Sequence, residues 1–317
     1  MNFIIILLIF CLVLFFYLHI FFQLKTSEDL EIYEIEYPSK DRLEEICDLR
    51  QPVVFLYDDM NDKINKNLIA NCTQSALLST YSVFDVKIRN VKKAASDAPA
   101  SDAVAASPSS EDEPELYIPL PLNSAIKALE EDKEAKYYSE KNTDFLEESG
   151  LGKLYKYNDA FLRPHMTSNC LYDYMFGSKG TQTPFRYEVN YRNYFMVVEG
   201  EVKIKMTQPK SSKYLIPYKD YEYFEFSSPM NPWNIQEHYK ADFEKIKCLE
   251  IVLKKGQLFY LPAYWWYSFE FNSEKTTSLC SFKYRTYMNN VAILDKLFIH
   301  FLQSQNIKRK SIKVLKF

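Results

Sequence analysis

Histidine and cysteine are the side chains that most often hold metals or act as nucleophiles, and this chain has four and six of them. His19 lies in an apolar run. His165, His238 and His300 are followed by Met-Thr, Tyr-Lys and Phe-Leu, so the sequence contains no His-x-Asp or His-x-Glu, the spacing that puts two ligands on one face of a strand. The cysteines form no Cys-x-x-Cys pair, which argues against a zinc knuckle and a dense disulfide framework. Strand spacing does bring Arg186 and Glu188 to one face. A guanidinium stays protonated and has no lone pair to give, so this couple is suited to pairing with itself rather than to holding a metal. Further on, Tyr260, Tyr264, Trp265 and Trp266 form an aromatic stretch that could line a groove but is better suited to packing.

The elements that must position these residues are mostly strands. All six glycines fall between Gly150 and Gly256, among short Tyr- and Phe-rich runs separated by turn signals. Strands are expected over 185–191, 194–198, 202–206, 248–253, 258–261, 267–271 and 278–284. Earlier, strands are expected over 32–37, 51–57 and 82–88, and helices open at Pro38-Ser39, over 64–78, and from Asn123-Ser124 to about Glu134. The terminal segment 290–303 sets Ile293, Leu294, Leu297, Phe298, Phe301 and Leu302 on one helical face, which should pack on the domain, on a protein partner or on a second copy. Such an inventory predicts a mainly β (α+β) sandwich or small barrel with flanking helices.

At 317 residues, 47% hydrophobic and 16% aromatic, the chain can fill a sizeable core, and a net charge of -3 gives no field for nucleic acid. Residues 3–22 carry no charge, no Gly and no Pro, a helix of about 30 Å. A core helix is rarely apolar all round, and a signal peptide would carry basic residues before a shorter run and small residues at its cleavage site. An uncleaved single-pass anchor over 1–24 is therefore expected, with Lys25 leaning the domain to the cytosolic side. Asn71-Cys72-Thr73 is a formal glycosylation sequon on the other side of that argument. The main domain is expected over 25–290, with a disordered Ala-, Ser-, Asp- and Pro-rich loop at about 92–116, followed over 291–317 by a helix and a basic tail that could touch anionic headgroups.

Two segments resemble the JmjC and cupin-like family of iron(II) and 2-oxoglutarate oxygenases. Gly177-Ser-Lys-Gly-Thr-Gln-Thr-Pro-Phe-Arg-Tyr-Glu188, continuing through Asn193 to Lys205, is similar to the family's Gly-rich turn, Thr-Pro-Leu-His-x-Asp, aromatic strand and basic strand. Leu249 to Tyr267, with Gly256-Gln-Leu-Phe-Tyr-Leu-Pro-Ala-Tyr-Trp-Trp-Tyr267, resembles Gly-Asp-x-Leu-Phe-Ile-Pro-x-x-Trp-Trp-His. Gln51-Pro-Val-Val-Phe55, Tyr137-Tyr138, Asp159-Ala-Phe-Leu-Arg-Pro164 and Tyr214 to Tyr218 are weaker echoes.

The resemblance implies a double-stranded β-helix behind the membrane helix. It also implies an iron site of two histidines and one carboxylate, and it puts Arg186 on the first histidine, Glu188 on the carboxylate and Tyr267 on the second histidine. A charge-paired plug is then expected in place of iron, Arg186 with Glu188 under the Tyr267 hydroxyl, and no cofactor, although the family would use Fe(II) and 2-oxoglutarate. The family's 2-oxoglutarate lysine falls near Val202, with Lys203 and Lys205 displaced from it; Thr183, Asn193, Lys203, Trp265 and Trp266 are the candidate ligand-pocket residues. The expected function is a catalytically inactive, membrane-anchored domain acting in binding or assembly. The alternatives are a protein hydroxylase with an irregular metal site and an architectural jelly roll.

Overall fold

The computed structural model describes residues 2–36, 38–57, 64–91, 117–273 and 276–305. The loop expected at about 92–116 and the basic tail beyond Gln305 lie outside the described residues. Among the described residues the strands are β1 (Tyr33–Ile35), β2 (Val53–Leu56), β3 (Asp85–Asn90), β4 (Tyr117–Pro121), β5 (Tyr137–Ser139), β6 (Thr167–Gly177), β7 (Phe185–Tyr187), β8 (Arg192–Glu199), β9 (Glu201–Thr207), β10 (Tyr218–Asp220), β11 (Glu225–Ser228), β12 (Leu249–Lys254), β13 (Gln257–Pro262), β14 (Trp266–Phe271) and β15 (Thr277–Thr286). They form a nine-stranded sheet in the order β1-β2-β13-β8-β15-β6-β5-β3-β4 and a six-stranded sheet in the order β10-β11-β7-β14-β9-β12.

Sequence pattern explains which strands are central. β8 is buried along nearly its whole length because it lies between β13 and β15 with a layer on each face, and it reads as a continuous apolar run. β9 has one covered face, so Val202, Ile204 and Met206 point inward and Lys203 and Lys205 outward. The inward residues of both sheets meet in one core that includes Phe195, Val197, Phe259, Tyr267 and Phe269. A second core, with Leu43, Ile46, Leu68, Ile126, Phe145 and Phe282, fills the space between the larger sheet and the flanking helices.

Those helices are α2 (Lys40–Asp48), α3 (Ile64–Asn71), α4 (Gln74–Tyr81), α5 (Leu122–Glu130), α6 (Thr143–Glu148) and α7 (Leu151–Asn158); α8 (Lys240–Phe243), α9 (Tyr287–Ala292) and α10 (Leu294–Gln305) come later, and α1 (Asn2–Leu24) precedes them all. Ser39 caps α2 by accepting the Arg42 N–H. The single helix expected over 64–78 is two, because the Thr73 hydroxyl accepts the Ala76 N–H and starts a new helix there. The helix expected from Asn123 to Glu134 begins at Leu122 and ends at Glu130, with Pro121 at its N-cap. The terminal helix is broken at the fully buried Ile293, and the strand expected over 185–191 stops at Tyr187. β6, eleven residues long, was not expected at all. Among the described residues one helix, Phe3–Leu24, is long and apolar enough to cross a bilayer, and its side chains are exposed except for the half-buried His19 and Ile20 and the buried Gln23.

Two glycines are fixed by close approach. Gly200 turns β8 into β9 with φ 75°, and a Cβ there would come within 2.6 Å of the Thr277 hydroxyl. Gly177, at the end of β6, lies flat against the Phe271 ring, where a Cβ would overlap ring carbons. Gly177→Ala should therefore cost about 1–3 kcal/mol by overpacking. A thermal melt of the detergent-solubilised protein checks this, and an unchanged midpoint would mean that β6 and β14 do not meet in this way.

Candidate functional site

Register places the centre of the site. Arg186 on β7 stands directly across the ladder from Tyr267 on β14, so both side chains leave the sheet on one face, and the guanidinium lies 5.7 Å from the Tyr267 ring. In the larger sheet Arg89 stands across from Tyr117 on one side and Tyr138 on the other. Arg186, Arg89, Tyr117 and Tyr138 converge on Glu140, which follows β5.

Glu140 is almost wholly buried and accepts on one oxygen from Arg89 (2.9 Å), Arg186 (3.0 Å), Tyr117 (2.8 Å) and Tyr138 (2.9 Å). Its second oxygen takes the other Arg186 nitrogen at 2.5 Å, completing a bidentate pair. Arg89 makes a second bidentate pair with Glu225 on β11, at 2.8 and 3.0 Å, and Lys141 approaches the same carboxylate at 3.4 Å. The Lys141 ammonium also lies 5.2 and 5.4 Å from the Tyr117 and Tyr223 rings.

Arg186 thus has a different partner from the one expected: Glu140, not Glu188. Glu188 accepts instead from Lys283 at 2.7 Å, from the Tyr267 hydroxyl at 2.9 Å and from Asn190 at 3.2 Å. Only the Tyr267 contact was read correctly from the sequence. The physical reason is directional: Glu140 offers a planar carboxylate to the planar guanidinium fork, whereas Glu188 is turned to the point charge of Lys283.

These charges are locked. Burial alone would raise the glutamates. The Arg186 and Arg89 guanidiniums nevertheless hold Glu140 well below the usual carboxylate range, Arg89, Lys141 and Arg186 bring Glu225 down to about 2, and Lys283 with Arg186 lowers Glu188. Burial, and then the charge of Glu188, push the Tyr267 phenol well above its ordinary value. Glu140, Glu225, Glu188 and Tyr267 are thus all shifted away from neutrality. Nor do the three positions that match the family's iron ligands fit Fe(II), because Arg186 is a cation engaged in an ion pair, Tyr267 is a protonated phenol, and Glu188 alone is a donor. Among the described residues no three His, Cys, Asp or Glu side chains converge as a ligand set.

The five candidate pocket residues are not brought together. Lys203 faces outward and pairs with Glu270 at 3.6 Å, because it alternates with the inward Val202. Thr183 bridges backbone, its hydroxyl accepting the Phe269 N–H at 2.9 Å. Asn193 is buried and donates to the Leu261 carbonyl at 3.2 Å. Trp265 and Trp266 are fully buried in two separate cores, Trp266 donating to the Ser212 hydroxyl at 2.7 Å. Sequence reasoning missed Arg89, Glu140 and Glu225 altogether. The signal for Glu140 was near at hand, since it follows the noted Tyr137-Tyr138 pair by two residues.

Removing Glu140's charge strands Arg186 and takes one of two carboxylates from Arg89, so Glu140→Gln should cost about 3–5 kcal/mol, and adding Arg186→Met should recover part of that loss. Chemical denaturation of the single and double variants measures it; additive losses would show that the pair does not interact. Glutamates with lowered folded values stabilise above about pH 4.3 and lose that contribution as pH falls. The melting midpoint should therefore drop steeply between about pH 4.3 and the value near 2 reached by Glu225. Asp173, which burial raises to about 6, works in the opposite direction, its contribution being lost as pH rises through that value. A flat acid limb in the melt series would contradict the pairing.

The comparison with known proteins agrees with this fold. The family profile described as "Cupin-like domain" matches residues 39–289. JmjC domain-containing protein D of Dictyostelium discoideum is 30% identical over 92 residues, which are 29% of this chain and 20% of that protein. The match thus spans about a fifth of the relative's length. With the profile covering most of the chain and the paired sheets carrying its two motifs, this protein belongs to the JmjC-like, cupin-like domain family.

Proposed function

We propose that this chain is a membrane-anchored JmjC and cupin-like domain protein that acts by binding or assembly and does not oxidise a substrate. The observation that carries the reading is the bidentate Arg186–Glu140 pair at the place where the family keeps an imidazole. A ligand position occupied by an ion-paired cation repels a second cation and has no electron pair to offer. The hydroxylase alternative needs a displaced ligand set, and the described residues supply none. The apolar helix Phe3–Leu24 supports the anchor, and Lys25 at its end supports a cytosolic domain.

Metal analysis of the purified full chain should find iron far below one equivalent, and incubation with 2-oxoglutarate should yield no succinate above a protein-free control. Stoichiometric iron together with succinate would replace this reading by the enzyme. Membranes washed with alkaline carbonate should retain the protein with residues 1–24 still attached, as read by intact mass; release, or a mass lacking that segment, would remove the anchor.

A further inference from the structure

The apolar helix is tied to the domain where it ends. Gln23 is buried, with its side-chain oxygen 3.4 Å from the Thr286 hydroxyl. The Arg50 guanidinium lies 5.3 Å from the Phe22 ring and reaches the Phe22 carbonyl at 3.5 Å. The end of the span is thus held at the corner where β15 passes into α9. α10 leaves the same corner after the single buried residue Ile293.

One side of α10 belongs to the domain, for Leu297 packs beside Phe226 and the His300 Nδ1 lies 2.6 Å from the Tyr221 carbonyl. The other side carries Leu294, Phe298, Phe301 and Leu302, each more than half exposed and spaced as one helical stripe. That reverses the pattern of a helix facing water, and a contiguous apolar patch of this kind marks a contact surface.

A cavity of about 360 Å³ opens at this corner, walled by Leu24 and Thr26 just past the span, Lys296 of α10, and Tyr187, Ser212 and Tyr264. Leu24 is the last residue of the apolar segment, which sets the cavity at headgroup depth, just outside a hydrocarbon core of about 30 Å. Tyr264 is held at φ 66°, a left-handed conformation that a tyrosine adopts only under constraint, and its N–H donates to the Glu188 carbonyl at 2.8 Å. Its hydroxyl is buried and meets no hydrogen-bond partner among the described residues. Ser212 accepts from Trp266 and so keeps its own proton to give. The nearest anion to Lys296 is its largely exposed neighbour Asp295, at 3.4 Å, a weak competitor. Glu28 is similarly exposed and pairs with Lys210 at 3.5 Å, while Lys25 at the end of the span is exposed.

We infer that this corner is a lipid-facing surface: the apolar stripe of α10 seats in the leaflet around α1, and the cavity takes the phosphate of an anionic phospholipid headgroup, with Lys296 as counter-ion and the Tyr264 and Ser212 hydroxyls as donors. The inference rests on the membrane-anchored reading. Aromatic and lysine side chains whose apolar bodies face lipid and whose polar tips reach water are the residues that suit this depth, and a helix lying in the interface buries such a stripe.

Full-length protein in nanodiscs of equal phosphatidylcholine and phosphatidylserine tests it, by mass spectrometry of the lipid retained after detergent extraction. Phosphatidylserine should be enriched over the bulk ratio, and Lys296→Gln should reduce that enrichment about fivefold, the scale of one basic side chain at an anionic surface. Tyr264→Phe should reduce it as well, both variants melting as the parent does. Retention at the bulk ratio by carbonate-resistant protein would overturn the headgroup site and leave the anchor standing. Displacement of the lipid by millimolar inorganic phosphate in detergent would assign the cavity to a free anion and overturn it too. Protein that carbonate releases would fail at the anchor itself, and this inference would fall with it.

Discussion

Two arginines buried where water cannot reach them set the terms for everything else in this molecule. An unpaired guanidinium in such a place is costly, and each of these two finds a carboxylate within the fold. The solution is crossed. Arg89 and Glu140 come from the nine-stranded sheet, Arg186 and Glu225 from the six-stranded sheet, and the bidentate pairs run between the sheets, Arg89 to Glu225 and Arg186 to Glu140. Closing the two sheets over the apolar core forms both bidentate pairs at once; sliding them apart breaks both.

A buried network of this kind returns in attraction about what it loses in desolvation, so it contributes little net stability over a well-packed apolar filling. Its contribution is register. Apolar side chains such as Phe195, Phe259 and Phe269 tolerate small shifts between the sheets, whereas two planar bidentate pairs and the tyrosines that donate to Glu140 accept only one alignment. Between the two sheets the interior is occupied by the chain's own charges.

Much of this architecture was legible in the residues. The alternation of Val202, Ile204 and Met206 with Lys203 and Lys205 gave β9 and its inward face, and that same parity should have removed Lys203 from the candidate pocket. The spacing of Arg186 and Glu188 and the resemblance at Tyr267 named three residues that the structure sets close together. The partner of Arg186 was not legible, because Glu140 lies 46 residues away and is delivered by β5, three residues that are too few to show a period. Arg89 lies one residue past the expected end of its strand. β6 escaped because Thr167, Ser168, Asn169 and Asp173 break the alternation that would have announced it, its burial coming from pairing with β15 and not from its own pattern.

The inner and outer faces of β7 and β14 are one piece of structure. On β7, Arg186 enters the charged interior while Tyr187 points the other way, to stack against Phe226 at 5.1 Å and wall the cavity beside Leu24. On β14, Tyr267 turns inward while Trp266 turns out to meet Tyr187 at 4.8 Å. The Glu188 carbonyl holds the constrained Tyr264 backbone, and the Glu188 carboxylate is itself fixed by Lys283 and Tyr267. The charged interior and the outer corner are therefore mechanically linked. Ion pairs and hydrogen bonds that hold Arg186 and Tyr267 on the inner face of β7 and β14 also fix Tyr187 and Tyr264 on the outer side, at the corner where the apolar helix meets the domain.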